Sequence, residues 1–182
     1  MGTIFVRKAT EQDLAEIMMI INHARALLKA DGSEQWQNGN PSEETILQDI
    51  EKGYGHLLIV NGEIAGTAAL LTDPDPNYEI IHDGSWNNDL HPYATIHRLA
   101  ISNKFRGMRL ANYLFSNLLT LAYSQGFRNF RIDTHEKNLR TQGLIEKFGF
   151  EYRGRIFVDP TPEGERKAYE LHWNNNCLSC NE

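Results

Sequence analysis

The sequence lacks the features that mark membrane, secreted or nucleic-acid-binding proteins. It has no apolar run near the ~18 residues that a membrane-spanning helix needs, and its first residues lack the apolar stretch of a secretion signal. Basic residues are few: 18 Lys and Arg against 24 Asp and Glu give a net charge of −6. This balance argues against a nucleic-acid backbone or an anionic membrane as the main partner. We therefore expect a cytoplasmic protein, and the negative charge favours a cationic small molecule as ligand.

Cysteine is also scarce, since Cys177 and Cys180 are the only two. They form a C-x-x-C pair in the polar stretch 174–182, without the strand and helix that flank a redox dithiol and without the four ligands of a structural zinc. The simplest interpretation is a pair of exposed tail thiols, and we expect no metal. His172 could add a third zinc ligand, but only a partner chain could then complete the site.

The remaining composition is that of one soluble globular domain. The chain has 182 residues, 41% of them apolar and 23% charged, which excludes disordered and fibrous architectures. A chain of this length buries a full core without disulfides or metal. We expect a single domain over residues 1–173, followed by a polar C-terminal tail at 174–182.

Apolar periodicity and turn residues predict alternating strands and helices. Strands are predicted at 3–8, 57–60, 63–71, 93–101, around Phe130 and Ile132, at 150–158 and at 166–173, and helices after Thr10, after Pro41, at 110–125 and from Asn138 to near Gly149. The order β-α-α-β-β-β-α-β-α-β-β predicts an α/β fold in which helices flank a central mixed sheet. A doubly wound dinucleotide fold would need more parallel βαβ units and fewer hairpins.

Two irregular segments stand out in this pattern. The stretch 72–92 is long for a loop and contains aromatic residues, which is more typical of a functional segment than of a simple connection. The second segment links the strand that ends at Ile101 to the next helix, and it reads Ser102-Asn103-Lys104-Phe105-Arg106-Gly107-Met108-Arg109-Leu110-Ala111. A strand, a short basic turn with glycine and a helix N-terminus together favour a phosphorylated ligand. Neither nucleotide fingerprint is present, and an ordinary strand–helix turn is the alternative.

This turn and a downstream segment, Asn138 to Phe150, together resemble the two signatures of the GNAT superfamily of N-acetyltransferases, which transfer an acetyl group from acetyl-CoA to an amine. The first signature reads Q/R-x-x-G-x-G/A, and Arg106 and Ala111 match its first and last positions. The second begins with an asparagine and closes like Leu144-Ile145-Glu146-Lys147-Phe148-Gly149-Phe150. The resemblance covers nearly the whole chain, and it implies the GNAT acyltransferase fold with acetyl-CoA as co-substrate.

The resemblance also implies which residues contact acetyl-CoA. The loop would hold the pyrophosphate, the backbone of the preceding strand would pair with the pantetheine arm like an added strand, and an asparagine would contact that arm. The implied residues are Leu99, Ala100, Ile101, Arg106, Gly107, Met108, Arg109, Leu110, Ala111 and Asn138. Without the family, Asn138 is a helix cap, and one asparagine can serve both roles.

Two positions depart from the family pattern. Arg109 replaces the middle glycine of the loop, so either its side chain points outward or the contact with the cofactor is altered. We expect the outward orientation. Ile145 stands where the family has the tyrosine that protonates the departing thiolate. Since thiolates are tolerable leaving groups, water or another side chain can suffice; the alternative is that no transfer occurs.

Acetylation of an amine requires a base, because an alkylammonium with a pKa near ~10 is not a nucleophile at neutral pH. His97 is the leading candidate. The strand's period of two predicts that it shares a face with Leu99, with Arg98 on the opposite face; the alternative is a hydrogen-bonded core histidine. His135 is the second choice, with Asp133, at the carboxyl end of the next strand, where open α/β sheets place ligands. These two could instead order the loop before Asn138.

Aromatic residues in irregular segments are the candidates for the acceptor pocket. They are Trp36, Tyr78, Trp86 and Tyr93, and each could instead serve packing. Aromatic walls suit small ligands and can hold a cation over a ring. The main hypothesis is thus an enzyme that acetylates a primary amine of a small molecule or peptide by direct attack.

Other functions stay open beside this one. The first alternative is a catalytically silent CoA or acyl-CoA sensor, and a third is an interaction protein that holds zinc between chains through its tail cysteines. A homodimer is possible, with strand 166–173 as a candidate edge for pairing.

Overall fold

The computed structural model describes residues 2–87 and 92–173. The helices and strands are β1 (Ile4–Lys8), α1 (Leu14–Ala30), α2 (Glu43–Glu51), β2 (Gly55–Val60), β3 (Glu63–Leu71), β4 (Tyr93–Ile101), α3 (Leu110–Ser124), β5 (Asn129–Thr134), α4 (Leu139–Lys147), β6 (Glu151–Phe157) and β7 (Glu165–His172). Their order is the predicted one, which confirms the mixed α/β architecture. The predicted tail 174–182, with Cys177 and Cys180, lies outside the described residues.

The strands form one seven-stranded sheet in the order β1-β2-β3-β4-β5-β7-β6. Strands β4 and β5 pair in parallel, and the other neighbouring strands pair antiparallel. Asn61 and Gly62 join β2 to β3 with φ values of 53° and 86°, as a tight two-residue turn requires. The expectation that strand 166–173 offers a free edge is wrong, because β7 lies between β5 and β6. Among the described strands, β1 and β6 form the two edges.

Helices cover both faces of the sheet and create two apolar cores. On one face, α3 and α4 bury Leu114, Leu118 and Ile145 against β-strand residues that include Phe130. On the other face, α1 and α2 bury a second cluster that includes Ile17, Ile21, Ile46, Leu57 and Ile59. The apolar stripes of the helices therefore serve packing, and the functional residues must lie where this packing is interrupted.

The packing is interrupted where β4 and β5 separate. The two strands pair at Tyr93↔Asn129, Ala94↔Phe130 and Thr95↔Arg131 and then diverge. Beyond this point β4 carries an extra residue relative to β3, since Ala69 pairs with His97 while Thr67 pairs with Ala100. Arg98, inside this bulge, has a left-handed φ of 56°. A bulge of this kind bends the strand and increases its twist, which leaves the β5-facing side of β4 open beside a cavity.

The bulge also changes which side chains share a face. Leu99 packs against the core under α3, whereas His97 contacts Asp75 and Arg98 pairs with Asp49 of α2 at 3.3 Å. The expectation that His97 shares a face with Leu99 and opposes Arg98 is therefore wrong. Strict alternation fails here because the extra residue shifts the pleat by one position.

Candidate active site

A cavity of about 790 Å³ occupies the gap between β4 and β5. Its walls include the backbone segment Leu99–Ile101 on one side, Ile132 and Asp133 on the other, and the start of α3 at one end. The cavity falls within the size range of small-molecule sites. Its two ends differ in chemistry, since one is basic and rich in free backbone N–H groups and the other carries a histidine with two carboxylates.

The basic end is the turn before α3. In the part of the chain that the structure describes, the N–H groups of Gly107, Arg109, Leu110 and Ala111 donate to no protein atom. Gly107 and Arg109 both have a positive φ, of 83° and 54°. Free N–H groups at the start of a 15-residue helix form a favourable site for an anion. The turn therefore fits the pyrophosphate of acetyl-CoA.

Arg109 adopts the left-handed conformation that glycine favours, so the substitution leaves the backbone path of the loop possible. Its side chain is exposed at the edge of the cavity, beside the exposed side chain of Arg106. Both guanidinium groups can therefore add positive charge at the phosphate end. Met108, also in this turn, is exposed.

Asn138 connects α4 to a distant turn. Its side-chain oxygen accepts the Thr141 N–H at 3.2 Å and thereby caps α4, while its amide donates to Gln35 at 2.8 Å. The same Gln35 oxygen accepts the hydroxyl of Thr134 at 3.4 Å. Asn138 also lines the cavity beside Thr141. The capping interpretation is thus confirmed, and it leaves the contact with a pantetheine arm possible.

Ile145 is fully buried in the core under α3 and supplies no hydroxyl group. Its neighbour Leu144 lines the cavity instead. A tyrosine in the family pattern would offer a proton donor from this helix. Here α4 offers only apolar contact at these two positions, so another group must protonate a leaving thiolate.

The other end of the cavity is built around His97. Its Nε2 lies 3.1 Å from Oδ2 of Asp75, and its Nδ1 lies 3.9 Å from Oδ1 of Asp133. The shorter distance is a hydrogen bond and the longer one is not. Since an ionised carboxylate only accepts, Asp75 fixes the neutral tautomer with its proton on Nε2. The lone pair of Nδ1 then faces Asp133 and is free to accept a proton.

Two tyrosines hold these aspartates in place, one through a carboxylate and one through the backbone. The hydroxyl of Tyr78 donates to Oδ1 of Asp133 at 2.8 Å, and the Asp75 N–H donates to the hydroxyl of Tyr93 at 2.9 Å. Burial, with the nearby Asp133 and Asp75, raises the pKa of Tyr78 well above its usual value. Tyr78 therefore stays protonated and acts as a hydrogen-bond donor.

The electrostatic environment keeps Asp75 ionised. Burial alone would raise the pKa of Asp75, but the hydrogen bond and charge of His97, together with hydrogen bonds from Asn77, outweigh burial and lower it. The ionised Asp75 is therefore a hydrogen-bond acceptor that can orient His97, as the role of general base requires.

The four predicted pocket aromatics lie in different environments. Trp36 lines the cavity, with a left-handed φ of 68°. Tyr78 and Trp86 are buried behind His97, in a small cluster that Tyr93 also contacts. Arg131 lies over the rings of Trp86 and Tyr93, at 4.2 and 4.4 Å from their centroids. Tyr78, Trp86 and Tyr93 do not line the cavity that the described residues enclose, which favours a supporting role for them.

His135 is separated from this chemistry. It is buried, its Nδ1 accepts the N–H of Lys137 at 3.1 Å, and burial lowers its pKa. Asp133 lines the cavity, whereas His135 does not. The placement of His135 thus favours the interpretation in which it orders the loop before Asn138.

Asp75 and Arg166 line the cavity but were not among the sequence candidates. Asp75 precedes a short turn, Pro76–Tyr78, whose first N–H groups it helps to cap; the Asp-Pro pair in a long loop was the available signal. Arg166 is a buried arginine on β7, and its alternation with the buried Ala168 and Glu170 marks an inward position. Both reach the site through tertiary packing.

The described residues contain neither a membrane-spanning helix nor a metal-binding cluster. No helix within 2–87 or 92–173 is long and apolar enough to cross a membrane. Over the same ranges, no group of three or more His, Cys, Asp or Glu side chains is arranged to hold a metal ion. The C-x-x-C pair lies beyond these ranges.

The fold and the site together define a class of protein that binds an extended, phosphorylated ligand between splayed strands. The model of the acetyltransferase (GNAT) family matches residues 21–150. A GNAT-family acetyltransferase from Streptococcus agalactiae is 36% identical in sequence, with a TM-score of 0.84 over 94% of this chain and 96% of that chain. The chain therefore belongs to the GNAT family of acetyltransferases.

More distant structures share the fold and contain CoA. The PaiA N-acetyltransferase from Thermoplasma acidophilum, in complex with coenzyme A, is 16% identical with a TM-score of 0.68 over 94% of this chain and 99% of that chain. A chain of the NatC complex bound to Gag peptide and CoA is 18% identical with a TM-score of 0.66 over the same shares. A search of curated protein sequences finds no match.

Proposed function

We propose that the protein is an N-acetyltransferase that transfers the acetyl group of acetyl-CoA to a primary amine of a small molecule or peptide by direct attack. The observation that carries this proposal is His97, half-buried in the cavity between two carboxylates and next to the open edge of β4. A base in this position is what amine acetylation requires.

Acetyl-CoA would bind along the open strand and the start of α3. The unpaired N–H groups of Gly107, Arg109, Leu110 and Ala111 would hold the pyrophosphate, and Arg106 would add charge. The backbone of Leu99–Ile101, free on its β5 side, would pair with the pantetheine arm. The complexes of PaiA and NatC with CoA support this assignment by their shared fold.

The acceptor would bind at the His97 end, where Trp36 offers an aromatic wall. Nδ1 of His97 takes one proton from the ammonium group, and the free amine nitrogen then attacks the thioester carbonyl carbon. A C–N bond forms and the C–S bond breaks, so that CoA leaves as its thiolate. The new amide nitrogen gives its second proton to water, and water protonates the thiolate, because Ile145 supplies no acid. The imidazolium returns its proton to solvent and the cycle closes.

Asp75 and Asp133 would act as positioning residues in this scheme. Asp75 fixes the tautomer of His97, and Asp133, held by Tyr78, lies close enough to Nδ1 for a bound amine to contact both groups. The buried aromatic cluster behind them would keep this geometry rigid. Tyr78, Trp86 and Tyr93 thus contribute through support, not through contact with the acceptor.

The second candidate function is a silent sensor of CoA or acyl-CoA. The observation that favours it is Ile145, which leaves α4 without the family's proton donor. The two functions agree on the binding of CoA and differ on the release of thiol. Catalysis is therefore the quantity to measure.

The experiment is a thiol-release assay of purified protein with acetyl-CoA and a panel of primary amines, run alongside calorimetric titration with acetyl-CoA. We expect His97→Ala to keep its affinity for acetyl-CoA while its turnover falls by about 100-fold. His82→Ala is the matched control, because His82 is exposed and packs on Phe157 outside the cavity. Tight binding of acetyl-CoA without thiol release from any amine would establish the sensor instead.

A further inference from the structure

Arg166 is a buried cation that lines the cavity and forms no salt bridge with the described residues. The residue is 8% exposed. Its Nη1 donates to the carbonyl oxygens of Glu163 and Glu165, at 2.6 and 2.8 Å. No carboxylate of the described residues lies within 4.0 Å of its guanidinium group, and its Nε and Nη2 donate to no described acceptor. Burial lowers the pKa of Arg166, but a guanidinium stays charged at neutral pH.

This cation lies at the acceptor end of the cavity. Arg166 alternates along β7 with Ala168, which pairs with Asp133 of β5, so Arg166 and Asp133 are diagonal neighbours on one face of the sheet. The negative charges of Asp133 and Asp159 both act on Arg166, and all three residues line the cavity with His97. Opposite charges therefore stand side by side where the acceptor would bind.

A buried charge without a paired counter-charge is costly unless a ligand completes it. A guanidinium group presents parallel N–H donors that match a carboxylate in a bidentate geometry. In Arg166, Nη1 donates to the carbonyl oxygens of Glu163 and Glu165, while Nε and Nη2 have no acceptor among the described residues, and the residue lines the cavity. This is the arrangement expected for a site that binds an anionic group of the acceptor.

We propose that the acceptor is a small zwitterionic amine of the amino-acid type, whose carboxylate binds Arg166 while its amino group faces His97 and Asp133. The proposal rests on the proposed acetyltransferase function for its catalytic consequence, and it narrows the acceptor from any primary amine to one that carries a carboxylate. The site would thus recognise both charges of the acceptor, with Arg166 binding its carboxylate and Asp133 facing its amino group. The net negative charge of the chain alone would favour only the amino group.

The test compares matched acceptors that differ only at the carboxylate. Free amino acids, their methyl esters and the corresponding decarboxylated amines are assayed by thiol release with acetyl-CoA. We expect kcat/KM to be at least about 10-fold higher for the acids than for the esters, from the strength of a charge-assisted hydrogen bond. Taurine and phosphoethanolamine, which carry a sulfonate and a phosphate in place of the carboxylate, test whether the site prefers another anionic group. Preferential turnover of either of them, or equal turnover of acids and esters, would overturn the proposal.

Variants of Arg166 separate recognition from structure. Arg166→Gln should lower kcat/KM for the acids by a much larger factor than for the esters, and Arg166→Lys should retain part of the preference. Arg155→Gln is the control, since Arg155 pairs with Asp83 and Glu165 on the neighbouring strand and should not alter the preference. A purely structural role for Arg166 would lower both activities equally.

A binding measurement keeps this test separate from catalysis. The CoA-saturated protein is titrated calorimetrically with the same amino acids and esters. If no amine releases thiol, the acetyltransferase proposal fails, and binding of an acid that Arg166→Gln abolishes would still support the carboxylate site. Absence of binding by any acid, in a folded sample that binds CoA, would refute it.

Discussion

At the residue scale, His97 depends on a neighbour from another part of the chain. Asp75 lies 22 positions earlier in the sequence and holds Nε2 of His97 at 3.1 Å. The two residues meet because the turn Pro76–Tyr78 folds against β4 through the buried Tyr78. The orientation and the tautomer of the proposed base are thus set by tertiary packing, and a change at Asp75 should lower turnover.

We expect Asp75→Asn to lower turnover by about tenfold or more, since His97 loses its fixed tautomer and orientation. Steady-state kcat with acetyl-CoA and an accepted amine measures this loss.

Asp73→Asn is the control for this prediction. Asp73 belongs to the same loop, but it is exposed and lies 3.9 Å from Lys52, outside the cavity. Its variant should keep the wild-type turnover. An Asp75→Asn variant that turns over as fast as the wild type would show that Asp75 does not act on the base.

Turns were easier to predict from the sequence than the direction of side chains. Asn61-Gly62 and the caps of the helices are local signals, because each depends on the conformation of one or two residues. The bulge at Arg98 is not a local signal, because it arises from strand pairing with β3. No residue type in this segment predicts it. For that reason the sequence indicated His97 but placed it on the wrong face relative to Leu99.

At the element scale, the turn before α3 contains an arginine in a conformation that suits glycine. Arg109 has a φ of 54°, and the left-handed region costs an L-residue roughly 1–2 kcal/mol. Arg109→Gly should therefore raise the free energy of unfolding by up to about 1 kcal/mol, after the greater backbone entropy of unfolded glycine is subtracted. Denaturant unfolding of the two proteins measures this difference.

Arg106→Gly, in contrast, should not raise the free energy of unfolding. Arg106 has an extended backbone, with a φ of −61°, so glycine relieves no strain there and only adds entropy to the unfolded chain. This variant should be equally stable or less stable than the wild type. Equal effects of glycine at the two positions would contradict the assignment of strain to Arg109.

The start of α1 depends on a carboxylate that is shared by two partners. Asp13 accepts the N–H and the hydroxyl of Thr10, at 2.8 and 2.9 Å, and pairs with Arg7 of β1 at 2.7 Å. The hydrogen bond from Arg7 lowers the pKa of Asp13, helped by those from Thr10 and opposed by partial burial. Asp13 thus links the start of α1 to the edge strand β1.

We expect Asp13→Ala to lower the free energy of unfolding by about 1 kcal/mol at neutral pH. Because the folded-state pKa is depressed, this contribution is fully present above the usual pKa of an aspartate and is lost as the pH falls through the depressed value. The difference between wild type and variant should therefore shrink as the pH falls below about 4. A difference that stays constant down to pH 2 would show that the carboxylate charge is not its source.

At the scale of the whole molecule, the fold was more predictable than the site. Periodicity predicted each helix and strand because burial of one face imposes a repeat on the sequence. The site instead joins residues far apart in the chain, such as Gln35 with Asn138 and His97 with Asp75. Its long loop contributes Asp75, while the loop's most conspicuous aromatics, Tyr78 and Trp86, are buried as support.

Binding of CoA should stabilise the whole domain, because the proposed site is formed by several elements that unfolding would separate. At a free concentration 100 times its dissociation constant, a ligand that binds only the folded state raises the free energy of unfolding by about 2.7 kcal/mol. We expect this gain with CoA and acetyl-CoA and not with ATP or NAD. Denaturant unfolding at several ligand concentrations measures it.

The increase in the free energy of unfolding that CoA causes should depend on the turn before α3 and not on basic charge in general. Arg106→Ala should weaken CoA binding by about 10-fold, which lowers the gain at the same CoA concentration by about 1.4 kcal/mol. Lys104→Ala is the matched control, because Lys104 pairs with Glu63 at 3.3 Å and does not line the cavity among the described residues. Its variant should keep the full gain. If CoA failed to stabilise the folded wild-type protein, Arg109 would have closed the loop to the pyrophosphate, and the shared fold would not carry CoA binding in this chain.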